Sequence, residues 1–147
     1  ALAECDENKN QAYDIVLMLQ PTSPLRSAAE VEECIDTLLS GSWDSVWTVS
    51  ETDSSYHPQK QVKIGSGGQL DFYIDSGQQI VARQELETAY HRNGVCYAFT
   101  AEFVRASDTV FSPGRSSAVV SSSLHISIDT PEDISLVETE LLRRKGS

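Results

Sequence analysis

The residues best suited to chemistry lie in one short stretch, QPTSPLR, at positions 20–26. Gln20, Thr22 and Ser23 offer short, neutral hydrogen-bond donors and acceptors, and two prolines stiffen the backbone that carries them. Such a set can orient a polyhydroxylated, carboxylated sugar. It is not a nucleophilic set, because no histidine is near it in the sequence. The alternative is a turn whose serine and threonine satisfy their own backbone.

A second group of polar residues follows in the later half of the chain. It comprises RQEL at 83–86, YHRNG at 90–94, VCY at 95–97 and SIDTPED at 127–133. Arg83, Asn93, Tyr97 and Asp129 are its candidate ligand-binding residues. Each also has a structural interpretation: a surface charge for Arg83, a turn pair for Asn93 with Gly94, a core position for Tyr97, and a helix-capping turn for Asp129.

The elements around the first stretch place it at a sheet edge where ligands bind. Residues 13–19, YDIVLML, form an apolar run typical of a strand buried on both faces. Ser27 and Glu30 then match a capping box, which predicts an amphipathic helix over 28–39 that ends at Gly41. A further strand over 44–50 completes a βαβ unit with parallel strands. The carboxyl end of the first strand, which leads into QPTSPLR, is where open α/β sheets bind ligands.

The rest of the chain continues the alternation of strands and helices. Residues 51–80 predict a β-hairpin insertion, with Gly65 to Gly68 as its turn. We then expect a strand over 94–100, a short helix over 101–106, a strand over 124–128 and a helix from Thr130 to Arg144. The pattern predicts an α/β, three-layer, Rossmann-like fold in a single domain, residues 1–147.

Composition excludes several classes of partner. The chain has 147 residues and a formal net charge of −11, with scattered lysines and arginines, which argues against nucleic acid as a partner. No apolar run approaches the ~20 residues of a membrane helix, and the acidic start does not resemble a signal peptide, so a cytoplasmic protein is expected. The three cysteines lack the spacing of a zinc site or a disulfide framework, and Cys34 and Cys96 are expected in the core. His57 and His125 have no motif around them and are expected on the surface or in a strand.

Taken together, LQPTSPLR, the RQ-x-L and NG-x-x-Y patterns and SIDTPED resemble the CMP-N-acylneuraminate and related CMP-sugar-acid cytidylyltransferases. The resemblance runs from Tyr13 to Lys145 and implies a nucleotide-diphospho-sugar transferase type of fold. By matching position, Gln20, Thr22 and Ser23 would line the sugar-acid pocket. Asn93 and Tyr97 would contact the sugar. Arg83 would pair with the carboxylate of the substrate.

The resemblance also implies a reaction. In that family the anomeric hydroxyl of a sugar acid attacks the α-phosphate of CTP and releases pyrophosphate, with Mg²⁺ neutralising phosphate charge. Family members commonly have Asp-x-Asp where this chain has Ser127-Ile128-Asp129, so Asp129 is the single candidate metal ligand. His91 stands where the family often has arginine, and Arg92 beside it could compensate.

The start of the chain departs most from the family. Those enzymes normally begin with a strand and a glycine-, arginine- and lysine-rich loop that holds the CTP phosphates, and the sequence contains no such loop. We therefore expect the C-terminal portion of such a domain, truncated at its N-terminus. Strand 13–19 would then have an open edge, which predicts a homo-oligomer, a dimer, or a partner that pairs with it.

Two functions remain open from the sequence. One is a cytidylyltransferase, or its C-terminal piece, that activates a nonulosonic acid of the sialic type. The other is a catalytically inactive family member that keeps sugar-acid binding or a role in assembly. The second is favoured by Ser127, by His91 and by the missing phosphate loop.

Overall fold

The computed structural model describes residues 2–9, 12–79 and 86–146. The α-helices are α1 (Leu2–Lys9), α2 (Ala28–Ser40), α3 (Ala101–Ala106) and α4 (Pro131–Lys145). The strands are β1 (Ile15–Met18), β2 (Ser45–Glu51), β3 (Val62–Ile64), β4 (Leu70–Phe72), β5 (Tyr90–Thr100) and β6 (Ser116–Val120). Short 3₁₀ helices cover Ser54–Tyr56, Pro58–Lys60 and Asp75–Gln79.

The chain divides into two compact units. The first consists of Ala1–Val49 and Arg92–Ser147, and the second of Ser50–His91. The second unit contains the predicted hairpin, whose interpretation as an insertion into a single domain stays a prediction. Among the described residues, no helix combines the length and apolar character needed to cross a membrane.

A four-stranded mixed sheet with the order β1-β5-β2-β6 forms the centre of the first unit. β1 pairs antiparallel with β5, and β2 pairs parallel with β6. Thr100 N donates to Asp44 O (3.0 Å) while Thr48 bonds to Cys96, so β2 and β5 also run in opposite directions. β1 and β2 therefore share a direction, as predicted, with β5 between them. This mixed α/β architecture is compatible with a Rossmann-like fold.

β1 lies at the edge of this sheet and is not the doubly buried strand that its apolar run predicts. Its residues are half-buried or exposed, and Leu17, Met18 and the following Leu19 are 37%, 41% and 42% exposed. The reason is its position: within the described sheet, β5 is its one neighbouring strand. An apolar run alone does not distinguish an edge strand from a central one.

The helix α2 covers the core with the face that its sequence predicts. Ser27 and Glu30 form the capping box, with Glu30 N donating to Ser27 Oγ and Ser27 N to Glu30 Oε2. Cys34 and Leu38 are buried on its inner face. The buried core of the unit consists of Cys34, Leu38, Val46, Val95, Cys96, Ala98 and Val119. Both predicted core cysteines are thus in place, and neither is in a disulfide.

The last strand of the sheet lies earlier than predicted. Residues 116–120 form β6 and pair with β2, from Ser45 with Ser116 to Val49 with Val120. Residues 124–128, predicted as that strand, have no regular secondary structure. Residues 124–128, LHISI, alternate as a strand does and residues 116–120, SSAVV, do not, but pairing with β2, a contact distant in sequence, selects 116–120. The helix α4 then begins as predicted, with Thr130 and Asp133 forming its capping box.

In the second unit, β3 and β4 pair antiparallel, from Val62 with Phe72 to Ile64 with Leu70. Their connection is the glycine-rich segment 65–68, in which Gly65 N donates to Gln69 O (2.9 Å) and Gly68 has φ 84°. This conformation suits glycine and a hairpin turn. The glycine cluster is therefore a turn, as predicted.

Candidate functional site

The loop that follows β1 is held by its own backbone and by Arg26. Ser23 N donates to Gln20 O (3.2 Å), which closes a turn. Arg26 Nε donates to Ser23 O (3.1 Å), and its Nη2 donates to Gln20 O. The Arg26 guanidinium therefore donates to the carbonyls of Gln20 and Ser23, to which a serine or threonine hydroxyl of the turn would otherwise donate. This leaves the side chain of Ser23 for a longer-range contact.

That contact brings the loop to the asparagine–glycine pair of β5. Ser23 is 3% exposed, and its Oγ donates to Asn93 O (3.3 Å) across 70 positions of sequence. A Cβ added at Gly94 would collide with Gln20 Oε1 and lie 2.7 Å from Ser23 Oγ. The structure thus brings Gln20, Ser23 and Asn93 together at Gly94. The Ser23 hydroxyl therefore does not bond only within its own turn, which was the alternative interpretation from the sequence.

Gly94 itself is required by this approach. Its φ is 71°, in the left-handed region that side chains other than glycine rarely adopt. Its missing side chain also leaves the space that Gln20 Oε1 and Ser23 Oγ use. The pair Asn93–Gly94 is thus the place in β5 that the loop 20–26 approaches.

The carboxamide of Asn93 is held by Thr48, a residue that the motifs do not single out. Thr48 Oγ1 donates to Asn93 Oδ1 (2.7 Å), and Val95 N donates to the same oxygen (3.2 Å). Thr48 is completely buried and also accepts a hydrogen bond from Cys96 N (2.9 Å). The one signal in the sequence is a polar residue in the middle of the apolar strand VWTV.

The segment that carries Asp129 joins the same loop. Ile128 N donates to Thr22 O (2.8 Å), so Asp129 lies one residue from a direct contact with the loop. Asp129 is exposed at the start of α4. The carboxylate of the neighbouring Asp133 accepts hydrogen bonds from Thr130 N, Thr130 Oγ1 and Asp129 N. These bonds lower the pKa of Asp133.

The described part of the chain contains no group of three or more acidic, histidine or cysteine side chains that could enclose a metal ion. Asp133 is occupied by the cap of α4, so Asp129 offers a single carboxylate. Mg²⁺ in phosphoryl-transfer sites is commonly held by one or two carboxylates together with the phosphates of the substrate. Asp129 thus offers one carboxylate to a metal ion, and its role as a metal ligand stays a prediction.

Arg144, from the last turn of α4, braces the other side of the loop. Its Nη1 donates to Leu25 O and its Nη2 to Leu124 O, both at 2.8 Å. Its Nε donates to Glu140 Oε1 (2.8 Å), and the bonds from Arg143 and Arg144 lower the pKa of Glu140 to about 2. The charged Glu140 thus orients the guanidinium that ties α4 to the loop.

Glu30, Ser121 and His125 form a polar cluster, although the sequence predicts a surface or strand position for His125. Glu30 Oε1 is 2.7 Å from His125 Nε2 and also accepts from Ser121 Oγ (2.5 Å). The side chain of His125 is only 6% exposed and that of Glu30 11%. His125 is therefore neither a surface residue nor part of a strand. No sequence pattern indicates this position. Glu30 lies 95 positions away, and Ser121 lies four positions away in a segment without regular secondary structure.

This cluster is not a catalytic triad. Ser121 Oγ and Glu30 Oε1 both meet the same nitrogen, His125 Nε2, whereas a serine–histidine–acid relay uses both ring nitrogens. Within the described residues, His125 Nδ1 has no hydrogen-bond partner. Burial raises the pKa of Glu30, but hydrogen bonds from Ser121 and Ser27 and the nearby His125 outweigh it and lower the pKa below the usual value. The cluster joins the start of α2 to the segment that leads to Asp129.

Tyr97 and Arg92 contact an aromatic cluster around Trp47. The Tyr97 ring is 4% exposed and meets Trp47 edge-on, with centroids 5.3 Å apart. The Arg92 guanidinium lies 5.7 Å from the centroid of the Trp47 ring. This placement agrees with the core position that the sequence leaves open for Tyr97. Its contact with a sugar stays a prediction.

The sequence also singles out Arg83, His91 and His57. Arg83 falls outside the described residues. His91, in the second unit, is exposed and 3.0 Å from Thr52 Oγ1 through its Nδ1. His57, in the same unit, is 7% exposed; its Nε2 meets Glu87 O (2.9 Å) and its Nδ1 accepts from Gln59 N (3.3 Å). The expectation of a surface or strand position for His57 is therefore wrong, because its ring caps a 3₁₀ helix.

Comparison with known proteins gives low-identity relatives. No protein-family model matches the chain. The chain is 26% identical to a pseudaminic acid cytidylyltransferase of Campylobacter jejuni over 128 aligned residues. The aligned region covers 87% of this chain and 54% of that protein. A second Campylobacter jejuni strain provides a protein of the same name at the same identity and coverage. The post-translational flagellin modification protein B of Campylobacter coli is 23% identical over 139 residues, or 94% of this chain and 57% of that protein.

The chain thus spans about half the length of the curated relatives it matches, 54% to 57%. The relationship suggested by the motifs is confirmed at low identity: these matches support a family relationship to the CMP-sugar-acid cytidylyltransferases.

Proposed function

We propose, from the relationship of this chain to the CMP-sugar-acid cytidylyltransferases, that its site binds a nonulosonic acid of the sialic type. The reaction served is the transfer of CMP from CTP to that acid, with release of pyrophosphate. The single observation that carries the proposal is the meeting of the loop 20–26 with Asn93–Gly94, through Ser23 Oγ and the side chain of Gln20. The names of the relatives support the same class of substrate.

In this proposal the loop recognises the sugar and does not react with it. Gln20, Thr22 and Ser23 carry no charge, and Ser23 Oγ is already engaged with Asn93 O. Neutral groups on a braced backbone suit the hydroxyls of a sugar. Asn93 and Tyr97 are proposed as contacts to the same sugar, and Arg83 as the partner of its carboxylate.

Asp129 is proposed as the protein ligand of Mg²⁺ that enters with CTP. The metal would neutralise charge on the phosphates as the anomeric oxygen of the acid attacks the α-phosphate. The support is the exposed carboxylate of Asp129, held near the loop by the bond from Ile128 N to Thr22 O. The free, buried thiols of Cys34 and Cys96 suit a cytoplasmic location, which we propose as well.

A second candidate is a chain that binds the sugar acid, or serves in assembly, without turnover. The observation that favours it is the isolation of Asp129: Ser127 stands where a second carboxylate is common in the family, and Asp133 is occupied by the α4 cap. A hydroxyl is a weaker Mg²⁺ ligand than a carboxylate. As a sugar-acid-binding protein, the second candidate shares the sugar site with the enzyme and differs from it in the metal.

One experiment separates them. The chain is titrated calorimetrically with pseudaminic acid, and release of pyrophosphate is then measured with CTP, Mg²⁺ and the same acid. For the enzyme we expect binding and release, and Asp129→Asn lowers release at least about tenfold because it removes the carboxylate ligand. The matched control, Asp36→Asn on the exposed face of α2, leaves release unchanged. Binding without release supports the second candidate as a sugar-acid-binding protein. Absence of binding rejects the enzyme and the sugar site, and leaves only a role in assembly.

A further inference from the structure

Glu30 makes more hydrogen bonds than the cap of α2 requires. One of its carboxylate oxygens, Oε2, accepts from Ser27 N and from Ser27 Oγ, each at 2.9 Å. A capping box needs one acceptor of this kind, and a glutamine supplies it as well as a glutamate does. The second carboxylate oxygen, Oε1, takes no part in the cap. The reason for a charged residue at this largely buried position therefore lies in what Oε1 bonds.

That oxygen bonds two residues of the β6–α4 connection, residues 121–128, which contains neither helix nor strand. Oε1 accepts from Ser121 Oγ at 2.5 Å and lies 2.7 Å from His125 Nε2. His125 Nε2 carries a proton in this arrangement, because an unprotonated ring nitrogen and a carboxylate oxygen are both acceptors and would repel each other at that distance. Both oxygens of Glu30 are thus satisfied, one by α2 and the other by the β6–α4 connection.

The β6–α4 connection leads directly to Asp129, the proposed ligand of Mg²⁺. No backbone ladder of a helix or strand holds this connection, so its position depends on bonds to other elements. Glu30 holds its first part, and at its last residue Ile128 N donates to Thr22 O (2.8 Å). Since the loop 20–26 runs straight into α2, the Glu30 carboxylate connects the end of the sugar loop to the segment that carries the metal ligand.

We propose that Glu30 is a positioning residue of the metal site: by binding Ser121 and His125 it determines where Asp129 lies relative to the loop 20–26. The proposal rests on the proposed function, in which Asp129 holds the Mg²⁺ that enters with CTP. It adds the residue that keeps the metal ligand and the sugar loop in their relative places. Glu30 contacts neither the metal nor the sugar acid; it acts through the β6–α4 connection.

His125→Phe tests the inference. Phenylalanine keeps a ring in the buried position and removes the donor to Glu30 Oε1, while the cap of α2 stays intact. Calorimetry measures the affinity for CTP with and without Mg²⁺, and the ratio of the two affinities is the gain due to the metal. We expect His125→Phe to lower this gain about tenfold, as changes to residues that support a metal ligand do. The affinity for CTP without Mg²⁺, and that for pseudaminic acid, should stay within about twofold of the native values.

Ser27→Ala is the matched control. It removes the hydroxyl that bonds the other oxygen of the same carboxylate, and it leaves both bonds from Oε1 to the β6–α4 connection in place. The gain due to Mg²⁺ should therefore equal that of the native chain.

The variant Asp129→Asn shows whether the effect passes through the metal ligand. Because Glu30 acts through Asp129, adding His125→Phe to Asp129→Asn should change the gain due to Mg²⁺ no further. A role of His125 in stability alone would instead lower the affinity for CTP with and without Mg²⁺ by the same factor, in both backgrounds. That result would overturn the inference, as would loss of the gain in Ser27→Ala.

The remaining outcomes separate this inference from the proposed function. If the native chain binds no pseudaminic acid, or if Mg²⁺ does not strengthen its binding of CTP, the proposed enzymatic function is wrong and this inference falls with it. If Asp129→Asn loses the gain due to Mg²⁺ and His125→Phe keeps it, the inference alone is overturned. Should His125→Phe fail to fold, Ser121→Ala removes the other donor to Oε1 and carries the same expectations.

Discussion

At the scale of single residues, the contact between Gln20 and Gly94 is the most specific feature of the site. Two glycines of the first unit have nearly the same left-handed backbone, Gly94 with φ 71° and Gly114 with φ 73°. A Cβ at Gly94 would meet Gln20 Oε1 and Ser23 Oγ, whereas a Cβ at Gly114 would meet nothing within 4 Å. The pair therefore separates backbone strain from the contact with the loop.

We expect Gly94→Ala to abolish binding of pseudaminic acid, because the new methyl group displaces the Gln20 side chain from its place. Both Gly94→Ala and Gly114→Ala should lower the free energy of unfolding by about 1 kcal/mol from backbone strain. Gly94→Ala should lose somewhat more, since Ser23 Oγ lies 2.7 Å from the added Cβ. Urea unfolding and calorimetry measure the two effects.

The control, Gly114→Ala, carries the same strain and should bind as the native chain does. If both variants bind equally well, Gln20 and Gly94 do not form part of a ligand site.

At the scale of elements, the loop 20–26 is a braced segment. Three contacts to it come from three other parts of the chain: Asn93 O accepts from Ser23 Oγ, Ile128 N donates to Thr22 O, and Arg144 of α4 donates to Leu25 O. Directly after the loop, Glu30 of α2 accepts from Ser27 N. A loop fixed from several sides can present its polar groups with little loss of entropy on binding. The clamp from α4 is itself charged, which makes it sensitive to acid.

Glu140 provides a test of that clamp. Its pKa is about 2 in the folded chain, below its ordinary value of 4.5, so its contribution to stability is full above 4.5 and is lost as the pH falls toward 2. We expect Glu140→Gln to be less stable than the native chain at pH 7, and the difference to shrink toward zero as the pH approaches 2. Urea unfolding at successive pH values measures this difference.

Glu138→Gln is the matched control, because Glu138 is exposed on the same helix. Its difference from the native chain should vary little over the same range. A difference between Glu140→Gln and the native chain that is constant with pH would contradict the assigned role.

At the scale of the whole molecule, the outer edge of β1 is the feature left for a partner. Leu17, Met18 and Leu19 are each more than a third exposed, and β1 has β5 on one side. A groove of about 410 Å³ borders it, with Val16, Phe99, Val104 and Val110 among its lining residues. An exposed apolar edge strand pairs readily with another strand. We propose that β1 pairs with a strand of a second copy of the chain.

Leu17→Lys tests this proposal. A charge on the edge disfavours strand addition, so we expect a dimer of the native chain at micromolar concentration and a folded monomer of the variant. Light scattering coupled to size exclusion measures the mass, and circular dichroism checks the fold. Leu142→Lys, at a leucine 70% exposed on α4, is the control and should remain a dimer. A monomeric native chain would reject the pairing.

Several features of the chain were determined by the sequence alone because they depend on neighbours in the chain. The capping box at Ser27, the start of α4 at Thr130 and Pro131, the short helix α3 and the glycine turn between β3 and β4 formed as predicted. Hydrogen-bonding residues three positions apart, or a glycine with positive φ, carry that information locally. The motifs of the loop and of β5 also indicated the related proteins correctly.

Only the tertiary structure decided which distant residues meet. It placed β5 between β1 and β2, chose 116–120 over 124–128 as the last strand, and left β1 at an edge. It also buried Glu30 with His125 and joined Thr48 to Asn93. Strand order and buried polar contacts depend on pairings across 45 to 95 positions of sequence, for which periodicity and local propensity carry no signal.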